Sequence, residues 1–261
     1  MGAAPSLSIH ALSGVPLIAE GDDLAAVILN ALDASDQVLR DGDIIVLAQK
    51  IISKAEGRAV ALSGVKPSFA AQDLSARCDK DARLVELILS ETDHVMRVRR
   101  GVLIVRHRLG FVLANAGIDQ SNVDQGGSHQ EGGPVALLLP LDPDGSAAAI
   151  RAALRAATGV DVAVVIIDSF GRAWRNGTCG VAIGCAGLAG LLDLRGTPDL
   201  YGRELATSEL GLADEVAAAA SLAMGQAAEG SPVVLLRGVG YGRREGTAAE
   251  LVRAPEMDLF P

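Results

Sequence analysis

The segment from Gly145 to Asp168, GSAAAIRAALRAATGVDVAVVIID, constrains the fold more than any other part of the sequence. Its first part places apolar residues at helical spacing and closes at Gly159, a residue typical of a helix C-terminus. Its second part is an apolar run that ends at Asp168, a pattern typical of a strand buried on both faces. A helix followed directly by a buried strand predicts a fold in which helices cover a sheet.

Helical and strand patterns are mixed along the rest of the chain. The patterns predict helices over 22–39, 71–92 (one or two helices) and 209–226, and strands over Ile44–Ala48, over 232–240 and on both sides of a turn at His107–Gly110. This mixture predicts an α/β (mixed α+β) fold with two packed lobes. No repeat or obvious linker divides the sequence, so residues 1–261 are predicted to form one ligand-binding unit.

Composition narrows the class of protein. A formal net charge of −9 argues against a nucleic-acid-binding surface, and 49% hydrophobic residues are ample for a buried core. No apolar run reaches the ~18 residues of a membrane span, and no signal peptide is recognisable at the start. The three cysteines form no CxxC pair, which argues against a disulfide framework or structural zinc. We therefore expect a cytoplasmic protein that acts on small molecules.

The stretch VLANAGIDQSNVDQGG, Val112 to Gly127, is rich in short oxygen-bearing side chains. Asp119 suits a hard divalent cation such as Mg²⁺, and the amide of Asn122 suits a phosphate or nucleotide oxygen. A capped turn is the alternative interpretation, because Asp, Asn and Ser form local hydrogen bonds in turns. Spacing alone favours the turn.

A second polar cluster follows the predicted strand in VAVVIIDSFGRAWRNG. The carboxyl ends of strands are where α/β sheets bind ligands, so Asp168 and Ser169 are candidate site residues. Arg172 and Arg175 are candidate catalytic residues that would meet anionic substrate groups. The alternatives are a helix N-cap for the Asp–Ser pair and surface ion pairs for the arginines. Trp174 is a stacking platform or, more commonly for tryptophan, a core residue.

Two further clusters have weaker signals. Lys50 and Lys54 in LAQKIISKAEGR follow a predicted strand, and either one could neutralise a polyphosphate, although taken alone this pattern favours a pair of solvated lysines. Cys179 in NGTCGVAIGCAG could be a nucleophile with a histidine base, but its small neighbours favour a packing role. The chain has no Gly-Lys pair for a P-loop and no HExxH or GxSxG motif.

Taken together, these clusters resemble the coenzyme F420-0:L-glutamate ligases, the gamma-glutamyl ligases of deazaflavin biosynthesis. The resemblance covers nearly the whole chain and rests on six blocks in family order: LSGVPLIAEGDDL, RDGDIIVLAQKIISKAEGR, RLGFVLANAGIDQSNV, VVIIDSFGRAWRNG, DLYGRELATSELGLADEVAAAASLAMGQ and PVVLLRG. The sequence ends at EMDLFP, so the resemblance implies the ligase without the flavin reductase domain that some bacterial relatives carry.

The resemblance implies a GTP-dependent ligase. GTP would phosphorylate the carboxylate of F420-0, and the amine of L-glutamate would attack the acyl phosphate; a further gamma-linked glutamate is also implied. The implied cofactors are Mg²⁺ or Mn²⁺, with two ions per site, and a monovalent cation such as K⁺. The implied assembly is an intertwined homodimer of two-lobed subunits.

The resemblance also implies roles for individual residues. Asp119 and Asp168 would bind metal, with Ser169 and Gln226 as further ligands. The residues implied to contact GTP are Gln49, Lys54, Asn122, the segment Val15, Pro16, Leu17 and Ile18, and the loop Met224, Gly225, Gln226, Ala227, Ala228, Glu229, Gly230 and Ser231. Ser169 stands where threonine is expected and Gln49 where some members have serine, while the loop 124–133 looks longer than usual. Alternatives are a metal-dependent phosphohydrolase, another carboxylate–amine ligase, or a non-catalytic protein that binds a phosphorylated cofactor.

Overall fold

A computed structural model describes residues 6–123 and 133–258 of the chain. Most of the predicted loop at 124–133, and the final residues of the C-terminal EMDLFP, lie outside the described residues. Within these ranges no helix combines the length and the apolar character needed to cross a bilayer. The described part contains helices and sheets together, which confirms the predicted α/β class.

A five-stranded sheet forms the centre of the molecule. Its strands are β1 (Ser8–Ala11), β2 (Ile44–Ala48), β8 (Ala163–Arg172), β9 (Arg175–Ala186) and β12 (Val233–Arg237), in the order β1-β12-β2-β8-β9. Only β2 and β8 run parallel among these pairs; the other neighbours are antiparallel. The parallel pair places the carboxyl ends of β2 and β8 at the same edge of the sheet.

The prediction that β8 ends at Asp168 is wrong, because β8 continues to Arg172 and forms a hairpin with β9. Pairing of β8 with β2 nevertheless stops at Ala48 and Ile167. From Asp168 onward the hairpin therefore extends past the end of β2, and Asp168 is the first residue beyond the parallel pair.

Helices cover both faces of this sheet. The helices α1 (Leu24–Ala34) and α5 (Pro143–Thr158) pack on one face against Ile45, Leu47, Val164 and Ile166. The helix α6 (Leu212–Met224) packs on the other face against Ile44, Val46, Val165 and Ile167. Alternate side chains of a strand point to opposite faces, so the continuous apolar runs of β2 and β8 are buried on both sides.

The ends of these helices differ from the sequence patterns in small ways. Asp23 caps α1 through its side chain, and α1 ends at Ala34 rather than at residue 39. Asp142 caps α5, and Gly159 closes it with a left-handed φ of 74° as predicted. The predicted helix over 209–226 begins at Leu212, because Glu209–Leu210 (β11) pairs with Leu192–Asp193 (β10).

A separate hydrophobic core forms within the segment 60–138. The helices α3 (Phe69–Cys78) and α4 (Ala82–Ser90) pack there on a three-stranded sheet of β4 (Thr92–Arg99), β5 (Val102–His107) and β6 (Val112–Ala114). The strands β3 (Ala59–Ala61) and β7 (Val135–Leu137) pair with each other beside it. This core holds the segment that leads from β6 to Asp119.

A buried ion cluster around Glu91 joins this second core to the end of α2 (Gln49–Ala55). Glu91 is 7% exposed, and its carboxylate accepts hydrogen bonds from Arg58 at 2.9 Å and Arg108 at 3.0 Å. His107 Nε2 lies 3.3 Å from the same carboxylate. Burial alone would raise the pKa of Glu91, but these cationic and hydrogen-bonding partners outweigh it and lower the pKa to about 2.

Candidate active site

The candidate site lies where β2 and β8 end together. The helix α2 begins at Gln49, directly after Ala48, so its first turn starts beside Asp168 in the adjacent strand. This edge of a parallel strand pair is the usual position of ligand sites in α/β sheets. The sequence prediction of a site after these two strands is consistent with this placement.

Asp119 lies at the same edge of the central sheet, and it directly follows Ile118 of the second hydrophobic core. Its backbone is fixed by two hydrogen bonds with Leu137, of 3.0 and 2.8 Å. Its carboxylate accepts from the Ser121 backbone N–H at 2.7 Å and from the Ser121 hydroxyl at 3.0 Å. The capped turn considered from the sequence is therefore present, and it orients the carboxylate toward α2.

Lys50 connects this turn to α2. Its ammonium lies 2.6 Å from Asp119 Oδ2 and also donates to the Ser121 hydroxyl at 2.9 Å and the Ser121 carbonyl at 3.1 Å. Burial raises the pKa of Asp119, but the hydrogen bonds from Lys50 and Ser121 outweigh it, so the pKa lies below its usual range. Lys50 thus holds a carboxylate in its ionised form.

The pKa of Asp168 is shifted in the opposite direction from that of Asp119. Asp168 is half-buried, and burial raises its pKa to about 6, with a further contribution from the negative charge of Asp119. The Ser169 backbone N–H donates to it at 2.7 Å, and the charge of Lys50 also lowers the pKa, but neither offsets the burial. Two carboxylates and one ammonium therefore share this site, leaving a net negative charge when both acids are ionised.

The loop after α6 completes the site. Ser169 Oγ donates to Gln226 Oε1 at 2.9 Å, and Asn122 Nδ2 donates to the Ala227 carbonyl at 2.9 Å. Lys54 Nζ donates to the Asn122 carbonyl at 2.9 Å. Asn122 and Ala227, which are 105 positions apart in the sequence, are therefore in direct contact. Such contacts between distant segments are needed if the six sequence blocks form one site.

The remaining residues predicted to contact nucleotide occupy different environments. The Gln49 side chain is buried and accepts a hydrogen bond from the Ser53 hydroxyl at 2.8 Å, within α2. The segment 15–18 has an exposed Leu17 and a buried Ile18, and it continues to Gly21, which donates to the Ala55 carbonyl at the end of α2. In the loop 224–231, Glu229 accepts from the Ala227 backbone N–H at 2.7 Å.

The structure does not bring Arg172 and Arg175 to the acidic pair. They face each other at the exposed tip of the β8–β9 hairpin, about 13 Å along the strand from Asp168 at ~3.3 Å per residue. Trp174 lies at the same tip and is 87% exposed, so the core role considered for it is wrong. Its φ of 63° places it in a left-handed position of the hairpin turn.

The oxygen donors at the site fit a hard divalent cation. They are the carboxylates of Asp119 and Asp168, the hydroxyl of Ser169 and the amide oxygen of Gln226, and such ligands suit Mg²⁺ or Mn²⁺. Within the described ranges, no group of three or more His, Cys, Asp or Glu is placed to hold a metal ion. Any metal here would therefore rely on two carboxylates supplemented by neutral oxygens.

The cysteines do not form a second candidate site. Cys78 and Cys185 are buried, and burial raises the pKa of Cys185 to about 12. Cys179 is partly buried in β9 opposite Phe170, and in the described part of the chain no hydrogen bond joins it to a histidine. A thiol needs a base or a lowered pKa to act as a nucleophile, so the packing interpretation is favoured.

Comparison with known proteins shows the family of the chain. Residues 14–238 match the family model described as F420-0:Gamma-glutamyl ligase. The chain is 48% identical to the coenzyme F420:L-glutamate ligase of Methanothermobacter thermautotrophicus, over 97% of this chain and 98% of that protein. It is 42% identical to the protein of the same name from Methanopyrus kandleri over 100% of both chains, and 41% identical to that from Archaeoglobus fulgidus over 97% and 96%.

Proposed function

Because this chain belongs to the F420-0:gamma-glutamyl ligase family, we propose that it joins L-glutamate to F420-0 at the expense of GTP. The observation that carries the proposal is the convergence of Asp119, Lys50 and Asp168 at the edge of the parallel strand pair. That arrangement suits phosphoryl transfer, in which anionic groups must be neutralised and aligned.

The proposed reaction has two steps. A carboxylate oxygen of F420-0 attacks the γ-phosphorus of GTP, the bond to the β-phosphate oxygen breaks, and an acyl phosphate and GDP form. The amine of L-glutamate then attacks the acyl carbon, phosphate leaves, and the amine loses a proton as the amide forms. A second round on the product carboxylate would add a further gamma-linked glutamate. Activation is needed because an ionised carboxylate has no good leaving group.

The proposed cofactors are Mg²⁺ or Mn²⁺, two ions per site, held by Asp119, Asp168, Ser169 and Gln226. When bound, these ions neutralise phosphate charge during transfer. The raised pKa of Asp168 supports this assignment, because a bound cation would compensate the burial of that carboxylate. We include a monovalent cation such as K⁺ in the proposal on the family resemblance alone.

The chain's own residues would position GTP on one side of the acidic pair. Lys54 and Asn122 are already joined to each other and to the loop 224–231, so they form one continuous surface. The segment 15–18, next to the end of α2, would extend this surface toward the nucleoside, and Gln49 would support it from within α2. We assign no role at the reacting centre to Arg172 and Arg175; their exposed position suits contact with a distal anionic group.

A homodimer is part of the proposal. The arm between β10 and β11 carries Leu200 and Tyr201, which are 100% and 95% exposed. Adjacent large apolar side chains left exposed to solvent support a protein–protein contact. We place the reaction in the cytoplasm. GTP and glutamate are available there, and cysteines without disulfide bonds suit its reducing conditions.

The test is to incubate the purified protein with F420-0, L-glutamate, GTP and Mn²⁺ and to follow F420-0 by mass spectrometry, with ATP and chelator controls. A mass increase of one or more glutamyl units that requires GTP and metal is expected. GTP hydrolysis without a mass increase would favour a phosphohydrolase or another acceptor. F420-0 binding without turnover, under conditions where a related ligase works, would favour a binding protein.

A further inference from the structure

An open cleft of about 400 Å³ lies between β9 and α6 and borders the candidate site. Its walls are small or apolar side chains with a few polar groups among them: Thr178, Cys179, Ala218, Ala219, Ser221, Leu222 and Gln226. Small-molecule sites have this size and composition, with apolar walls and a few polar groups that fix orientation.

The cleft opens on the same face of the sheet as Ser169. Ser169 is the direct partner of Gly180 in the β8–β9 pair. Its side chain therefore lies on the face of the sheet where Gly180 contacts α6. A side chain at Gly180 would clash with the Ala217 carbonyl, which shows how closely β9 approaches α6 there. Thr178 lies two residues along the strand on this face and forms part of the cleft wall.

Gln226 connects the cleft to the reacting centre. Its side chain lines the cleft and accepts the hydrogen bond from Ser169 at 2.9 Å. The next residue, Ala227, accepts the hydrogen bond from Asn122, which faces the proposed nucleotide side. Two consecutive residues of this loop therefore connect the cleft, through Gln226, with the proposed nucleotide surface, through Ala227.

We propose that this cleft binds the carboxylate-bearing acceptor, with its carboxylate toward Ser169 and Gln226 and its aromatic ring system along Ala218, Ala219 and Leu222. The inference rests on the proposed function and assigns the substrate side of that site. Phosphoryl transfer requires the attacking and leaving oxygens to lie roughly in line, so acceptor and nucleotide must approach the phosphoryl group from opposite sides. Walls of small residues leave room for a tricyclic ring, and the hydroxyl of Thr178 can donate to its polar edge, whereas that of Ser221 already donates to the Ala218 carbonyl at 2.9 Å.

Leu222 offers the sharpest test because it is 86% exposed, so substitutions there leave the core intact. F420-0 carries negative charge on its phosphodiester and carboxylate. We expect Leu222→Glu to raise its Kd at least about tenfold, through the lost apolar contact and like-charge repulsion, and Leu222→Lys to raise it by a clearly smaller factor, because the ammonium attracts those charges. Calorimetric titration of each variant with F420-0, and separately with GTP, makes the measurement; the GTP Kd should stay unchanged.

Ala219→Trp should fill the cleft and raise the F420-0 Kd by a similar factor. The matched control is Ala156→Trp, at an exposed position of α5 on the opposite face of the sheet. Circular dichroism establishes that each variant is folded.

Three outcomes would overturn the placement or its premise. Unchanged F420-0 affinity in folded Leu222→Glu and Ala219→Trp proteins would show that the acceptor binds elsewhere. Equal losses in Leu222→Glu and Leu222→Lys, accompanied by a change of mass in light scattering, would identify the cleft as a contact between two copies of the chain. If the unaltered protein fails to bind F420-0 at all, the proposed function itself is wrong.

Discussion

The ammonium of Lys50 lies 2.6 Å from the carboxylate of Asp119, and both are partly shielded from solvent, at 24% and 36% side-chain exposure. The two residues lie beside different hydrophobic cores, since Lys50 is in the first turn of α2 next to the central sheet and Asp119 follows the smaller core. Their contact, rather than any single element, defines the charge of the candidate site.

Replacing Lys50 with methionine should lower the ligase turnover by on the order of 100-fold, because a preorganised cation at a phosphoryl-transfer site is lost. Methionine is unbranched and nearly as long as lysine, so the substitution tests the effect of the charge alone. Steady-state kinetics with GTP and F420-0 measures the effect. Lys66→Met, at an exposed lysine between β3 and α3, is the control and should retain full turnover. Normal turnover in Lys50→Met would remove Lys50 from the site.

Replacing Asp168 with asparagine should abolish turnover but stabilise the ligand-free, chelator-treated protein at neutral pH. The folded state raises the pKa of Asp168 from 3.8 to about 6, so it holds the proton more tightly than the unfolded state does. The free energy of unfolding of the unaltered protein therefore falls as the pH rises from about 4 to about 6. The Asn variant escapes this loss, and its advantage should reach at most about 3 kcal/mol above pH 6.

Thermal unfolding between pH 4 and pH 8 measures the Asp168→Asn advantage. Asp119→Asn is the matched control: the folded state lowers the pKa of Asp119, so neutralising it should bring no gain at neutral pH. A Tm difference for Asp168→Asn that stays constant across this range would contradict the burial argument.

Replacing Asn122 with alanine should weaken GTP binding about tenfold, or ~1.4 kcal/mol. The side chain donates to the Ala227 carbonyl, and its loss should release the loop 224–231 from the turn that follows Asp119. Calorimetric titration with GTP gives the Kd, and Asn30→Ala on the exposed side of α1 is the control. An unchanged Kd in Asn122→Ala would mean that the nucleotide does not use this surface.

Replacing Glu91 with glutamine should lower the free energy of unfolding by about 2–4 kcal/mol at pH 7, because Arg58 and Arg108 lose their buried counter-charge. Since the folded pKa of Glu91 is lowered from 4.5 to about 2, its contribution is present above about pH 4.5 and is lost as the pH falls toward 2. The gap between the two proteins in urea unfolding should therefore shrink over that window.

The exposed Asp73–Arg77 pair supplies the control for Glu91. Asp73→Asn should leave stability unchanged, because surface ion pairs contribute little. If Glu91→Gln behaved like Asp73→Asn, the cluster would have no stabilising role.

Local sequence patterns predicted the central elements well. Ile44–Ala48 was recognised as a strand because its apolar run is buried on both faces, and the helix before Gly159 because its spacing and its C-cap agree. By contrast, the patterns missed β4, TDHVMRVR, where charged residues interrupt the apolar ones on a partly exposed strand. They also placed the end of β8 too early, because the polar residues after Asp168 look like a loop while they form a hairpin.

The residues of the candidate site were predictable, but most of their contacts were not. Asp119 and Asp168 stand out as acids that follow apolar runs, and the family blocks added Gln226. No local pattern pairs Lys50 with Ser121, 71 positions away, because that contact depends on how two cores pack. A lysine two residues after a buried strand was the available signal, and taken alone it favoured a solvated side chain, because nothing local indicates the turn at Asp119.

The position of β12 has a consequence for how this protein must be synthesised. The strand comes from residues 233–237 yet lies between β1 and β2, which come from the first fifth of the chain. During translation, β1 and β2 therefore lack their shared neighbour until residues 233–237 have been made. Their unpaired apolar edges stay open to wrong partners during that time, and such edges promote aggregation. A ribosome that stops before residue 233 would release a chain missing the middle of its sheet rather than an edge.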